Sequence, residues 1–96
     1  MVVSLGHEKG RQMLYKAVLT LKTEAECEAF FADICTVTEV KEMAQRLDVA
    51  KMLSEGQVYN TIVEQTGASS ATVSRVNRSL NHGENGYQIV LSRLQS

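Results

Sequence analysis

Residues 59–80, YNTIVEQTGASSATVSRVNRSL, carry two short helical periods separated by a glycine. Ile62, Val63 and Thr66 fall at helical spacing. Gly67 can take the positive φ that ends a helix, and Ser69 or Ser70 can cap a second one. The stretch from about 58 to 81 therefore predicts a helix-turn-helix. In its second helix Val73, Val76 and Leu80 recur at +3 and +4 as one apolar stripe, while Ser70, Ser74, Asn77, Arg78 and Asn81 gather opposite. The stripe docks on the body of the protein and the polar face looks outward.

A short outward helix tipped by Ala71 and serines, with amide and guanidinium groups behind, suits the major groove of a duplex. Small residues permit close approach and longer ones reach bases or phosphates. The plain alternative is a surface αα-hairpin, a common feature of helical bundles. Such a helix more often carries Glu and Lys pairs outside, yet no acid occurs between Ser69 and Asn81. Acids would repel phosphates, so their absence favours double-stranded DNA.

A chain of 96 residues allows a single domain with a limited core, and pairing with a second copy is the natural source of further buried surface. Proline is absent, aromatics are few, and apolar residues recur at helical spacing, which predicts an all-α protein. There is no run apolar enough to cross a bilayer and no charged-then-apolar leader, so a cytoplasmic protein without membrane association is expected. Cys27 and Cys35 lack a metal spacing and are expected to be reduced and buried. Residues 1–56 hold seven basic residues against nine acids, whereas residues 57–96 carry Arg75, Arg78 and Arg93 against Glu64 and Glu84. With so small a positive excess, DNA affinity has to come from two subunits acting together.

In chain order, residues 1–10 contain two glycines and the lone His7 without a clear period, and predict a flexible arm ahead of a domain spanning 11–96. Met13, Leu14, Ala17, Val18 and Leu21 predict a first helix from Arg11, with Tyr15 on its flank. Thr23 opens a second through a capping box with Glu26, carrying Cys27, Phe30, Phe31 and Ile34. Thr36 to Glu55 is the longest helix, begun by Thr36 and Glu39, with the stripe Val40, Met43, Leu47, Ala50 and Leu53. Gly56 ends it. Arg46 lies beside that stripe, where it can bury its stem and reach a neighbouring element or simply remain a solvated charge. Residues 81–86 read as a loop, and Tyr87, Ile89, Val90 and Leu94 as a last amphipathic helix. About six helices result. His82 has no nucleophile or carboxylate constellation around it, and neither a catalytic centre nor a metal site is expected.

The run from Gln45 and Arg46 to Gly56, followed by the segments Gly67–Arg75 and Arg78–Leu80, resembles the Trp repressor superfamily. The segment Ala68–Val76 and the pair Gly86 and Tyr87 look closest to its small Trp-repressor-like branch, the YerC/YecD type. The resemblance covers roughly residues 30–94. It implies an intertwined, all-helical homodimer whose two reading helices enter successive major grooves, acting as a transcriptional regulator, in the first instance a repressor on a two-fold symmetric operator. In the Trp repressor proper, tryptophan wedges between two arginines. Arg46 and Arg75 match those positions, and Thr36 and Thr72 match two further pocket positions. On a helical wheel Thr72, Arg75 and Ser79 share a flank where a small effector can lie.

Two departures stand out. Val76 occupies the place of a glycine that admits the indole, which argues against tryptophan as corepressor. Asn60 stands where the repressor has a DNA-contacting arginine, so the operator cannot be carried over. The expected DNA face is Asn60, Ser69, Ser70, Ala71, Ser74, Asn77, Arg78 and Asn81. The expected effector set is Thr36, Arg46, Thr72, Arg75 and Ser79. Two rival expectations are a DNA-binding protein with a closed pocket and no effector, and a helical module that docks a protein partner.

Overall fold

The computed structural model describes residues 2–95, with side chains from residue 8 onward. Six helices and no strand occur among the described residues: α1 (Val2–Leu19), α2 (Glu24–Ile34), α3 (Val37–Ser54), α4 (Tyr59–Thr66), α5 (Ser70–His82) and α6 (Gly86–Leu94). The chain divides into two compact units, Met1–Val37 and Thr38–Ser96. The helix-turn-helix lies wholly within the second.

In the first unit, α1 starts at Val2, so residues 2–10, expected as an arm, are helical. A glycine inside a helix costs about 1 kcal/mol relative to alanine but does not forbid the conformation, and Gly10 sits in open space. The turn after α1 is closed by the Thr20 hydroxyl, which donates to the Ala17 carbonyl at 2.6 Å. Thr23 caps α2 by accepting the Glu26 N–H at 3.1 Å. The Glu26 carboxylate in turn accepts the N–H of Lys22 at 2.8 Å, one residue before the cap that a capping box would place it on.

The apolar stripe expected on α1 is present but largely uncovered, with Met13 71% exposed and Leu14 and Val18 exposed as well. No residue of α2 is buried, and Phe30 and Phe31 meet edge to face at 5.5 Å while only half covered. Cys27 and Cys35 are free thiols as expected, but Cys27 is exposed and Cys35 only half-buried.

The second unit holds the core: Val49 and Ala50 of α3, Ile62 of α4, Ala68 of the turn, Val73 and Val76 of α5, and Leu91 of α6. Half-buried Leu47, Met52, Leu53, Val63 and Tyr87 pack around it. Val49 and Leu91 were not part of the expected stripes. On α6, Leu91 faces inward, while Ile89, Val90 and Leu94 are exposed. Tyr87 and Leu91, four residues apart, share the face turned to α5, which places Val90 on the flank, while Leu94 lies on that same face at the very end of the helix.

The turn between α4 and α5 is held by several polar contacts. Gly67 closes α4 with φ 75° and donates its N–H to Val63. The Thr66 hydroxyl donates to the Ile62 carbonyl at 2.6 Å and accepts the Ala68 N–H at 3.1 Å. Gln45 of α3 donates from Nε2 to the Thr66 carbonyl at 3.2 Å, tying the turn to α3, which at 18 residues equals α1 in length rather than exceeding every other helix as the sequence suggests. At the far end of α5, Gln88 of α6 donates to the Leu80 carbonyl at 2.8 Å. Gly83, which follows α5, is backed by the Ser79 carbonyl so closely that a Cβ there would collide with it.

At Gly67 a side chain would meet no neighbour, so any cost of substitution comes from the left-handed backbone alone. Gly67→Ala is expected to destabilise the fold by about 1–2 kcal/mol, and Gly67→Asn by less, because asparagine tolerates that conformation. Urea unfolding of the three proteins measures the order; equal stabilities would contradict it.

Candidate nucleic-acid interface

The two faces of α5 separate cleanly. Val73, Val76 and Leu80 are buried, whereas Ser70, Ala71, Ser74, Arg75, Arg78, Ser79 and Asn81 are exposed and Thr72 and Asn77 half-buried. Asn60, in the first turn of α4, is exposed as well. No acid interrupts the ridge, since the nearest in sequence are Glu64 and Glu84. Arg78 forms no ion pair among the described residues, and its charge is free for an anionic partner. The N-terminus of α5 adds backbone N–H groups and the positive end of the helix dipole.

Ser69 has a different task from Ser70. Its Oγ accepts the Thr72 N–H at 3.1 Å and its hydroxyl donates to the Thr72 hydroxyl at 3.1 Å. Of the two serines able to cap, Ser69 is the cap, which leaves Ser70 in the first turn with its hydroxyl outward. Asn77 and Asn81 are also linked: Asn81 Nδ2 donates to the Asn77 carbonyl at 2.9 Å and to Asn77 Oδ1 at 3.0 Å.

Beneath this ridge lies a cavity of about 190 Å³ lined by Arg46 of α3, Arg75, Val76 and Ser79 of α5, and Tyr87 of α6. Three of the five expected effector residues, Arg46, Arg75 and Ser79, thus come together. Thr72 is engaged with the helix cap and Thr36 belongs to the first unit; neither lines the cavity. Tyr87 was not expected there, although its place after Gly86 is among the residues that carry the family resemblance. Neither arginine has an ion-pair partner among the described residues, so two cationic residues without a carboxylate partner line the cavity. Val76, 2% exposed, forms part of its wall. A second, larger cavity of about 530 Å³ adjoins it through Ser79 and Tyr87 and is walled by Leu47, Val90, Gly86 and Glu84.

Among the described residues no group of three His, Cys, Asp or Glu side chains could hold a metal ion, and no helix is long and apolar enough to cross a membrane.

Comparison with known proteins gives concordant matches. The family model described as Trp repressor protein matches residues 9–95. The chain is 46% identical over 89 residues to the protein YerC of Bacillus subtilis (strain 168), covering 91% of this chain and 86% of that protein. It superposes on the crystal structure of a TrpR-like protein from Eubacterium eligens ATCC 27750 with a TM-score of 0.88 at 49% identity, covering 91% of this chain and 90% of that one. A Staphylococcus aureus relative of known crystal structure gives a TM-score of 0.87 at 46% identity, covering 91% and 87% of the two chains.

The division of labour between the two serines is directly testable. Ser69→Ala, which removes the cap, is expected to lower stability by about 1 kcal/mol. Ser70→Ala should stay within about 0.5 kcal/mol of the parent, as an exposed substitution does. Denaturant midpoints in the absence of DNA distinguish them, and a larger loss for Ser70→Ala would reverse the assignment.

Proposed function

The chain belongs to the Trp repressor family, a family of DNA-binding regulators, and from that premise we propose that it is a homodimeric transcriptional repressor that binds a two-fold symmetric operator through α5. The observation that carries this reading is the acid-free outward face of a helix whose opposite face is sealed in the core. Ser70 and Ser74 bond to base edges or phosphates, Ala71 touches a thymine methyl, and Arg78 binds phosphate. Asn77, Asn81 and Asn60 flank them. Ser69 acts through the helix end that it caps.

The homodimer is supported by the uncovered apolar side chains of the first unit, Met13, Leu19 and Ile34 among them. A monomer would leave these in water, whereas a second copy covers them. Residues 11–96 then act as one DNA-binding domain in each subunit, and such a protein works in the cytoplasm.

Arg46, Arg75 and Ser79 form an effector site for a small anionic molecule, with Tyr87 as a further wall. At about 190 Å³ the cavity falls below the roughly 300–1,000 Å³ of usual ligand pockets, and Val76 narrows it. That favours an effector smaller than tryptophan. It also supports the second reading, in which the site is closed and binding to DNA needs no effector. Thermal unfolding with a panel of amino acids, indole compounds and small carboxylates separates the two: a true effector raises the midpoint in proportion to its occupancy. No shift with any member, alongside intact DNA binding, establishes the closed site.

Arg78→Ala is expected to weaken binding to every duplex and to reduce the salt dependence of log K by about 1 per subunit, whereas Ser74→Ala should penalise one site preferentially. Fluorescence anisotropy across a salt series reads both, and an unchanged slope for Arg78→Ala removes its phosphate contact. Retention of a protein partner together with no duplex binding at low salt would favour a docking module instead.

A further inference from the structure

We infer that Asn77 is a specificity-determining donor on the α5 ridge and that Asn81 is its positioning residue, holding the Asn77 amide in one orientation; the inference rests on the DNA-binding reading above. The geometry comes from one backbone atom. Asn81 Nδ2 lies 2.9 Å from the Asn77 carbonyl oxygen, and a carbonyl can only accept, so the Asn81 amide must turn its NH2 group there. The same NH2 group lies 3.0 Å from the side-chain amide of Asn77. Two NH2 groups would repel, so Asn77 must present its oxygen. Which amide atom is which thus follows from hydrogen-bond chemistry, anchored on a carbonyl whose identity is certain.

The consequence lies on the other side of Asn77. Its Nδ2, with two N–H donors, has no partner among the described residues, and no half-buried side-chain nitrogen or oxygen among them is both unpartnered and sealed from solvent. The NH2 group therefore reaches solvent on the face it shares with Ser74. An asparagine that reads adenine uses oxygen and NH2 together, against N6 and N7. In this chain Asn81 occupies one of the two lone pairs of that oxygen and holds the amide plane, so the adenine pose is disfavoured while the link stands. The outward NH2 instead fits an acceptor edge of the major groove: guanine N7 or O6, or thymine O4.

The test is selection of bound duplexes from a random pool with the parent, Asn77→Ala, Asn81→Ala and the double variant, each confirmed as folded by circular dichroism. The parent should show guanine or thymine at one symmetric pair of positions. Asn77→Ala should lose that preference and bind the parent site about two- to tenfold more weakly. Asn81→Ala should admit adenine at the same positions, and the base preference of the double variant should match that of Asn77→Ala because Asn81 sets the preference through Asn77. A parent consensus that Asn77→Ala leaves intact overturns this inference alone. So does an Asn81→Ala profile without added adenine, or an Asn81 effect on base preference that persists in the Asn77→Ala background. A parent pool without any consensus overturns the DNA-binding reading and this inference with it. Should a variant not fold, side-chain amide exchange in the free parent decides: Asn81 protons should exchange with water more slowly than those of exposed Asn60, and equal rates would remove the link.

Discussion

The rotation of α5 about its own axis is the constraint on which the rest of the molecule depends. Val73 and Val76 are sealed into the cluster formed with Ile62, Ala68, Val49 and Ala50, and burial of each such side chain stabilises the fold by about 1.5–3 kcal/mol. Successive residues of a helix are 100° apart, so seating those two valines sets the direction of every other side chain on the helix. Ser70, Ser74 and Arg78 point outward because Val73 and Val76 point in. The turn adds to this constraint, since Gly67, Thr66 and Gln45 hold the start of α5 and Gln88 holds its end.

The same seating connects the ridge to the cavity below it. Val76 belongs to the core and also walls the space between Arg46 and Arg75. A molecule entering there touches α3, α5 and α6 together, and so acts on how the ridge is carried. A glycine at that position would widen the cavity but would remove part of the apolar stripe that fixes α5. Valine favours a firmly seated helix over a roomy site. This is the physical content of the departure from the Trp repressor pattern, and it underlies the proposal that any effector is smaller than tryptophan.

Much of the second unit was legible in the sequence because its signals are local. Gly67 at a helix end, a serine cap and the +3, +4 spacing of Val73, Val76 and Leu80 each follow from backbone geometry within a few residues. The choice between Ser69 and Ser70 as cap was not legible, since either hydroxyl satisfies the same local rule and only the course of the chain after Gly67 decides. Leu91 was missed for a different reason: α6 carries Ile89, Val90, Leu91 and Leu94 in a nearly continuous apolar run, and periodicity cannot say which flank of such a run faces the chain's own core. Tyr87 at the cavity likewise depends on how α6 docks. The cysteines show the reverse error, because Cys27 on α2 and Cys35 just after it read as core, while no residue of α2 is buried. Residues 2–10 read as an arm because glycines outweighed a weak period, yet the cost of a helical glycine is small enough to be overridden.

The central claim is that the face of α5 opposite its buried stripe is the surface that meets the duplex. Amide chemical-shift mapping with added duplex at low salt tests it most directly. The account predicts shifts concentrated on residues 70–81 and the first turn of α4, with the amides of Val49 and Leu91 unmoved. Shifts confined to other surfaces, or none at any duplex concentration, would contradict it.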